Sequence, residues 1–373
     1  MSLDLFLEAP FPSNYVLSPP DLNPPNLYFR YVTWRWCFYI NLCISPISLI
    51  ISIFALKLPM LPRSMLKEKF LRLDYIGILV LVGGTVCILL GVSWGGNAFA
   101  WSDSHVAGCL VGGFVLLGLF ILIERRVKDP VIDPSLFRNH TFLAIAAAEF
   151  FYGANLIGLM YYVPQFFQLV FDETAILSGV GLLPMMLGLG IGNPIAAFIT
   201  SKYEVSLANA QVGAALQVLA SGLMARWNAH TSRAEAIVLL VILGIGQGAT
   251  MSGLLLTAQV ATTPDLVGIV TGLAIFAQAV GDIFGVALFA AVYINKLRSS
   301  LSGLALSSAQ IEEILQDVQL IRRSYSPESR TQIVNAYAIS MRNGWWLMFA
   351  CAGALLLLTF LAKQHKFQTG LST

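Results

Sequence analysis

Residues 142–169 read FLAIAAAEFFYGANLIGLMYYVPQFFQL, and this stretch decides the class of the fold. Along its whole length the only charged residue is Glu149. As an α-helix rising 1.5 Å per residue it would reach about 42 Å, more than the roughly 30 Å of bilayer hydrocarbon. Hydrocarbon offers no water to backbone N–H and C=O groups, so a spanning segment must satisfy them itself or close into a barrel. Barrel strands alternate over about ten residues, which this unbroken run does not do. A transmembrane helix is the form that remains.

The rest of the chain repeats the pattern. Candidate spans fall at 34–58, 75–94, 106–123, 142–169, 177–200, 206–225, 235–259, 267–294 and 344–362. The fold class expected is therefore an all-α integral membrane bundle crossing the bilayer about nine times. Hydrophobic residues make up 57% of the chain and charged residues 11%, against about 25% charged in soluble domains. The net charge of +2 is too small to point to nucleic acid. Cys37, Cys43, Cys87, Cys109 and Cys351 all lie in apolar runs, where thiols pack as small hydrophobes, so no disulfide framework is expected. His105, His140, His230 and His365 are scattered singly, without metal-ligand spacing. The expectation is a protein with no metal, no cofactor and no catalytic residues.

Short basic loops set the orientation. Lys57, Arg63, Lys67, Lys69 and Arg72 follow the first span, while only Arg30 and Arg35 precede it or stand at its start. The N-terminus is thus expected outside. Alternation then places Arg125, Arg126, Lys128, Arg138, Lys202, Lys363 and Lys366 inside, with the C-terminus in the cytoplasm. The outer loops 95–105 and 170–176 contain no Lys or Arg. Arg226 and Arg233 in an outer loop, and an inner loop near Pro264 without basic residues, are exceptions that do not reverse the asymmetry. The sequon Asn139-His140-Thr141 would face the cytoplasm and stay unused.

Residues 1–33, with Pro10, Pro12, Pro19, Pro20, Pro24 and Pro25, read as an extended or disordered segment. They lack the basic start of a secretory signal. Between the last two spans, at about 296–343, a polar stretch carries Leu304, Ile311, Ile314, Leu315, Val318 and Ile321 at helical spacing. Ser326 and Pro327 then suit the N-cap and first position of a further helix. An extracellular helical hairpin packed against the bundle is expected there.

Within the spans, Gly188, Gly190 and Gly192, the run Gly244, Gly246 and Gly248, and Gly281 with Gly285 allow close helix approach. Pro164, Pro184 and Pro194 can kink their helices. Only two acidic residues lie well inside spans, Glu149 and Asp282. A carboxylate at mid-bilayer costs about 2.5 to 3.5 kcal/mol on insertion scales, so each is a candidate for proton coupling. The alternative is a neutral, hydrogen-bonded structural carboxyl. Tyr161, Tyr162, Gln165, Phe166 and Gln168 form an aromatic and amide cluster suited to an amphiphilic organic ligand. Asn193, Gln247 and Gln278 are further lining candidates, with interhelical hydrogen bonding as the alternative for each.

Several motifs carry a resemblance: TWRWCFYINL at 33–42, LDYIG at 73–77, LGVSWGGNAFAW at 90–101, DPVIDPSLFRN at 129–139, YYVPQFFQ at 161–168, SGVGLLP at 178–184 and FAQAVGDIFGVALF at 276–289. In this order the chain resembles the fungal branch of the major facilitator superfamily's drug:proton antiporters, a group with fourteen spanning helices that contains toxin and multidrug efflux pumps. In that family the tryptophan-rich motif opens the sixth helix. The resemblance thus implies helices six to fourteen, with the first five absent and the chain truncated at its N-terminus. It also implies a division into 1–33, a region 34–141 with three spans including a two-helix insert, and a six-helix transporter half at 142–373. Cys43, Ile44, Ser45 and Pro46 stand where the family usually has a Pro, an Ile and two glycines. Asp282 stands where a glycine pair is usual, so its role is not implied by the resemblance.

What the resemblance implies is an exporter of small amphiphilic molecules, working by proton-coupled alternating access in a plasma membrane. Its partners would be the lipid bilayer, the substrate and protons. The alternative is a non-transporting membrane protein or a regulatory fragment of such a transporter.

Overall fold

The computed structural model describes residues 36–55, 74–95, 99, 101–124, 126, 136, 138–304, 306–307, 310–311, 314–315 and 327–364. The segment 1–33, the basic residues Lys57, Arg63, Lys67, Lys69, Arg72, Arg125, Lys128 and Lys366, and the hairpin positions Val318, Ile321 and Ser326 lie outside the described residues. The chain divides into two compact units, Met1–Leu71 and Arg72–Thr373. The described part of the first is helix α1, Trp36–Ala55, which carries no charged residue and contains Pro46.

The larger unit is built from α2 (Tyr75–Trp94), α3 (Ser104–Glu124), α4 (His140–Val170), α5 (Ala175–Val180), α6 (Leu183–Tyr203), α7 (Ser206–Met224), α8 (Arg233–Val260), α9 (Val267–Leu301) and α10 (Pro327–Leu361). Among the described residues there is no β-strand, only an isolated bridge between Gly95 and Phe99. Counting α5 with α6, eight segments among the described residues of this unit are long and apolar enough to cross a membrane, and α1 adds a shorter apolar helix over Tyr39–Phe54. Large apolar side chains such as Leu79, Phe114, Phe198 and Phe360 are exposed on these helices. So broad an apolar exterior belongs against lipid rather than water.

Polar side chains punctuate the helices. Asp74 caps α2 by accepting the Gly77 N–H at 2.9 Å. Asn139 caps α4 by accepting from the N–H groups of Thr141 and Phe142, while its own amide donates to the Ala261 carbonyl at 2.8 Å. That last bond ties the start of α4 to the end of α8. The span expected at 177–200 is broken at Gly181–Leu182, with Pro184 in the first turn of α6, where its missing N–H is not needed.

Two helices overrun their expected limits. The one expected over 267–294 continues to Leu301, and the one expected over 344–362 begins at Pro327. Residues 296–301 and 327–343, expected in a separate hairpin, are therefore extensions of α9 and α10. Polar residues beyond the hydrocarbon end an apolar run without ending a helix, and no breaker intervenes in either extension. Between them Ile311 and Ile314 are buried, and Tyr337 of α10 donates its hydroxyl to the Ile314 carbonyl at 2.9 Å.

Glycines set the closest approaches. A Cβ on Gly188 or Gly192 of α6 would meet the α8 backbone at Val241 and Ile245, and one on Gly244 or Gly248 would meet the α6 backbone. A Cβ on Gly281 or Gly285 of α9 would run into the carbonyls of Phe150 and Ala154 on α4.

Candidate substrate and coupling site

Glu149, Gly153, Ile157 and Tyr161 recur at four-residue spacing and so form one stripe along α4. On α9 the corresponding stripe is Gln278, Asp282, Val286 and Ala290. The two stripes meet where Gly153 leaves room for its neighbour: a Cβ there would lie 2.8 Å from Asp282 Oδ1 and would also strike the Gln278 carbonyl. The glycine is thus what lets a carboxyl side chain sit between two packed helices.

Around this crossing the structure brings together the two acidic candidates. Glu149 is 3% exposed and lies within electrostatic reach of Asp282. Tyr152, fully buried on α4, is within reach of both carboxyls. Neither the Tyr152 hydroxyl nor Asp282 Oδ1 has a hydrogen-bond partner among the described residues. A buried polar atom without a partner costs about 1 to 3 kcal/mol, so such atoms in a native site call for a reason.

Toward the C-terminal half of α4 the same two faces line a cavity of about 390 Å³. Ile157, Tyr161 and Tyr162 come from α4, Asp282, Ile283, Val286, Ala287, Ala290 and Ala291 from α9, and Val92, Ser93 and Gly95 from the end of α2. Asp282 is the one charged side chain among these lining residues. Tyr162 is held by donating its hydroxyl to the Val286 carbonyl at 3.2 Å and by stacking on Phe289, with ring centroids 3.8 Å apart. Tyr161 meets Tyr162 edge-on at 5.0 Å and is 54% exposed, so its ring is free to meet a ligand.

The remaining candidates are placed elsewhere. Phe166 is fully buried, stacked on Trp227 at 5.0 Å and packed edge-on to Trp345. Gln168 donates to Ser178 Oγ at 3.0 Å, tying α4 to α5. Gln165 is half-buried one turn beyond Tyr161. The Asn193 backbone sits at the glycine seam beside Gly248. Gln247 is fully buried in α8, its amide atoms without partners among the described residues. The Gln278 backbone forms the crossing at Gly153 rather than the cavity wall.

The contribution of Ser93 and of the small residues Ala287, Ala290 and Ala291 was missed in the sequence. The signal for the alanines was present, since Ala290 follows Asp282 and Val286 at four-residue spacing, and Ala287 and Ala291 follow Ile283 in the adjacent row.

Beyond the cavity, the end of α4 is fastened by two ion pairs. Arg330 of α10 meets Asp172 at 2.6 Å, and Arg233 of α8 meets Glu173 at 3.1 Å. Asp172 takes a left-handed backbone (φ 57°) that turns the chain toward these partners. Between α2 and α3, Asp103 accepts the His105 backbone N–H at 2.8 Å and contacts its ring at 2.7 Å, which holds this exposed carboxyl below the usual carboxylate range.

A family model described as fungal trichothecene efflux pump (TRI12) matches residues 27–341. The MFS-type transporter ucsD of an Acremonium species is 30% identical, over 91% of this chain and 59% of its own length. The efflux pump dotC of Dothistroma septosporum is 30% identical over the same shares, 91% and 59%. An uncharacterized MFS-type transporter of Mycobacterium tuberculosis is 30% identical over 89% of this chain and 47% of its own length. The chain thus spans about half to three-fifths of the length of these curated relatives. Among solved structures, a bacterial homologue of the human lysosomal transporter Spinster, in an inward-facing and occupied conformation, aligns with a TM-score of 0.50 at 13% identity. That alignment covers 75% of this chain and 66% of the homologue, and it bears on the fold alone. The family match over most of the chain and the bundle of apolar helices agree: this is a multi-pass membrane protein that belongs to the fungal trichothecene efflux pump family of major facilitator transporters.

Proposed function

We propose that the chain serves export of small amphiphilic organic molecules, driven by protons entering as substrate leaves. The relatives named efflux pumps support this reading. The observation that carries it is the cavity walled by Tyr161, Tyr162 and the apolar face of α9, with a single carboxyl at its edge. Apolar walls with one or two placed polar groups suit an amphiphile. Asp282 and Glu149, within electrostatic reach of each other and without an ion pair among the described residues, suit the capture and release of a proton within the membrane. Tyr161, Tyr162, Gln165, Phe166, Gln168, Asn193, Gln247 and Gln278 are the proposed substrate pathway, with the first two in direct contact. The membrane is the plasma membrane, the N-terminus faces out and the C-terminus faces the cytoplasm.

The test is dye retention in cells expressing the full chain or an empty vector, with neutral Nile red and cationic rhodamine 6G, with and without a protonophore. Lower retention of either dye, restored by the protonophore, is the expected result. Equal retention of both dyes, with the chain present in the membrane, would replace this reading with that of a membrane protein that does not transport.

A further inference from the structure

At the end of the bundle where α4 is fastened, the arginines fall into two groups. Arg233 and Arg330 are taken by Glu173 and Asp172, and Arg298 of α9 also has a partner. Arg226, just past α7, and Arg342 of α10 are exposed, and neither guanidinium makes an ion pair or hydrogen bond among the described residues. These two flank one groove. α7 and α10 run antiparallel side by side: Gln211 donates to the Thr359 carbonyl at 3.3 Å near one end, and a Cβ on Gly222 would meet the Phe349 ring at 3.0 Å near the other. Continuing that register places Arg226 level with Trp345 and Trp346, and Arg342 about one helical turn further out.

This level is the edge of the hydrocarbon. α7 has 19 residues, about 28 Å of helix against the roughly 30 Å apolar core of a bilayer. Arg226 lies just beyond its last residue, Met224. On the membrane side of the arginines Leu219 and Leu223 are exposed. Trp346, 51% exposed, packs edge-on against Phe349 at 5.6 Å and stands where an amphipathic indole belongs, between acyl chains and headgroups. Neither α7 nor α10 beyond Glu328 contains an Asp or Glu that could neutralise the pair. The groove thus offers apolar walls below and two unpaired guanidiniums at its mouth. A guanidinium presents a planar fork of donors that matches phosphate oxygens, and basic pockets between spanning helices take lipid headgroups.

We infer that this groove between α7 and α10 binds a lipid with an anionic phosphodiester headgroup, its phosphate between Arg226 and Arg342 and an acyl chain along Leu223 and Leu219. The inference goes beyond the exporter reading and does not depend on it. A lipid phosphate also gives a counter-ion to Arg226, which departs from the charge asymmetry of the loops.

The test titrates the purified full chain, in micelles of a neutral detergent, with phosphatidylinositol or with phosphatidylcholine of the same acyl chains, and measures the first bound lipid by native mass spectrometry. The expected result is phosphatidylinositol binding at least about tenfold tighter than phosphatidylcholine binding. Arg226→Gln and Arg342→Gln should each weaken it, and together they should bring it to the level of phosphatidylcholine. Arg138→Gln, at the opposite end of the bundle, should leave it unchanged. Equal affinity for the two lipids, an unchanged preference in the double variant, or its loss in Arg138→Gln would overturn the inference. Displacement of phosphatidylinositol by excess inorganic phosphate would show a site for the free anion and overturn the assignment to a lipid. If the double variant does not fold, the two single variants decide. Binding is read without transport, so failure of the exporter reading in the dye assay leaves this result standing, and the reverse holds as well.

Discussion

Glu149 and Asp282 are separated by 133 positions in sequence, and the packing of α4 on α9 brings them within electrostatic reach of each other (282 − 149 = 133). If they act as a unit in moving a proton, removing either carboxyl removes the function of both, and effects of residues that act together are not additive. Glu149→Gln and Asp282→Asn are each expected to abolish the protonophore-sensitive part of dye export, with the double variant no worse than either single one. Initial efflux rates measure this, and rates that multiply would separate the two groups. Folding should survive, because a neutral amide at mid-membrane avoids the roughly 2.5 to 3.5 kcal/mol cost of a charge. Outside the membrane, the depressed Asp103 carboxyl makes a smaller prediction. A carboxyl held below its ordinary range contributes stability above that range and loses it as pH falls through the lowered value. The thermal midpoints of the unaltered chain and Asp103→Asn should differ at neutral pH and converge on acidification. An offset that persists after the carboxyl is protonated would contradict the assignment.

At the scale of elements, the glycine pattern distinguishes packing from coincidence. The sequence presents Gly188, Gly190 and Gly192 as one set, but only the first and last face α8, and Gly190 has open space where a Cβ would go. Gly244 and Gly248 face α6 while Gly246 between them meets α7 at Gly213 and Leu216. The run GIGQG therefore serves two partner helices at once. Gly244→Ala would drive a Cβ into the Met185 carbonyl, and overpacking of this kind costs about 1 to 3 kcal/mol. Gly190→Ala meets nothing and should gain up to about 1 kcal/mol from helix propensity. Thermal unfolding in detergent compares them, and equal shifts would contradict the packing described.

The class of the fold was legible in the sequence because apolar length alone decides it, and eight of the nine expected spans are long and apolar enough to cross a membrane among the described residues. The true lengths of α9 and α10 were not, since their polar ends carry no hydropathy signal. The stripe from Glu149 to Tyr161 was legible from its spacing. The part played by Ser93 was not, because only the packing of α2 beside α9 brings it to the cavity.

For the whole molecule, the ion pairs of Asp172 with Arg330 and Glu173 with Arg233 bring the end of α4 and the starts of α8 and α10 to one face of the bundle. The proposed orientation puts that face outside. A cysteine introduced at Ala175, in a chain with its native cysteines replaced, should react with a membrane-impermeant maleimide added to intact cells, and one at Thr262 should not. The opposite pattern would invert the topology.

The central claim is that substrate leaving is linked to protons entering. The most direct measurement places the purified full chain in liposomes loaded with rhodamine 6G and a lumenal pH indicator, then dilutes them into dye-free buffer. The account predicts that the lumen acidifies as the dye leaves, and that Glu149→Gln and Asp282→Asn abolish this acidification. Dye loss at constant lumenal pH, or no dye loss beyond that of empty liposomes, would contradict it.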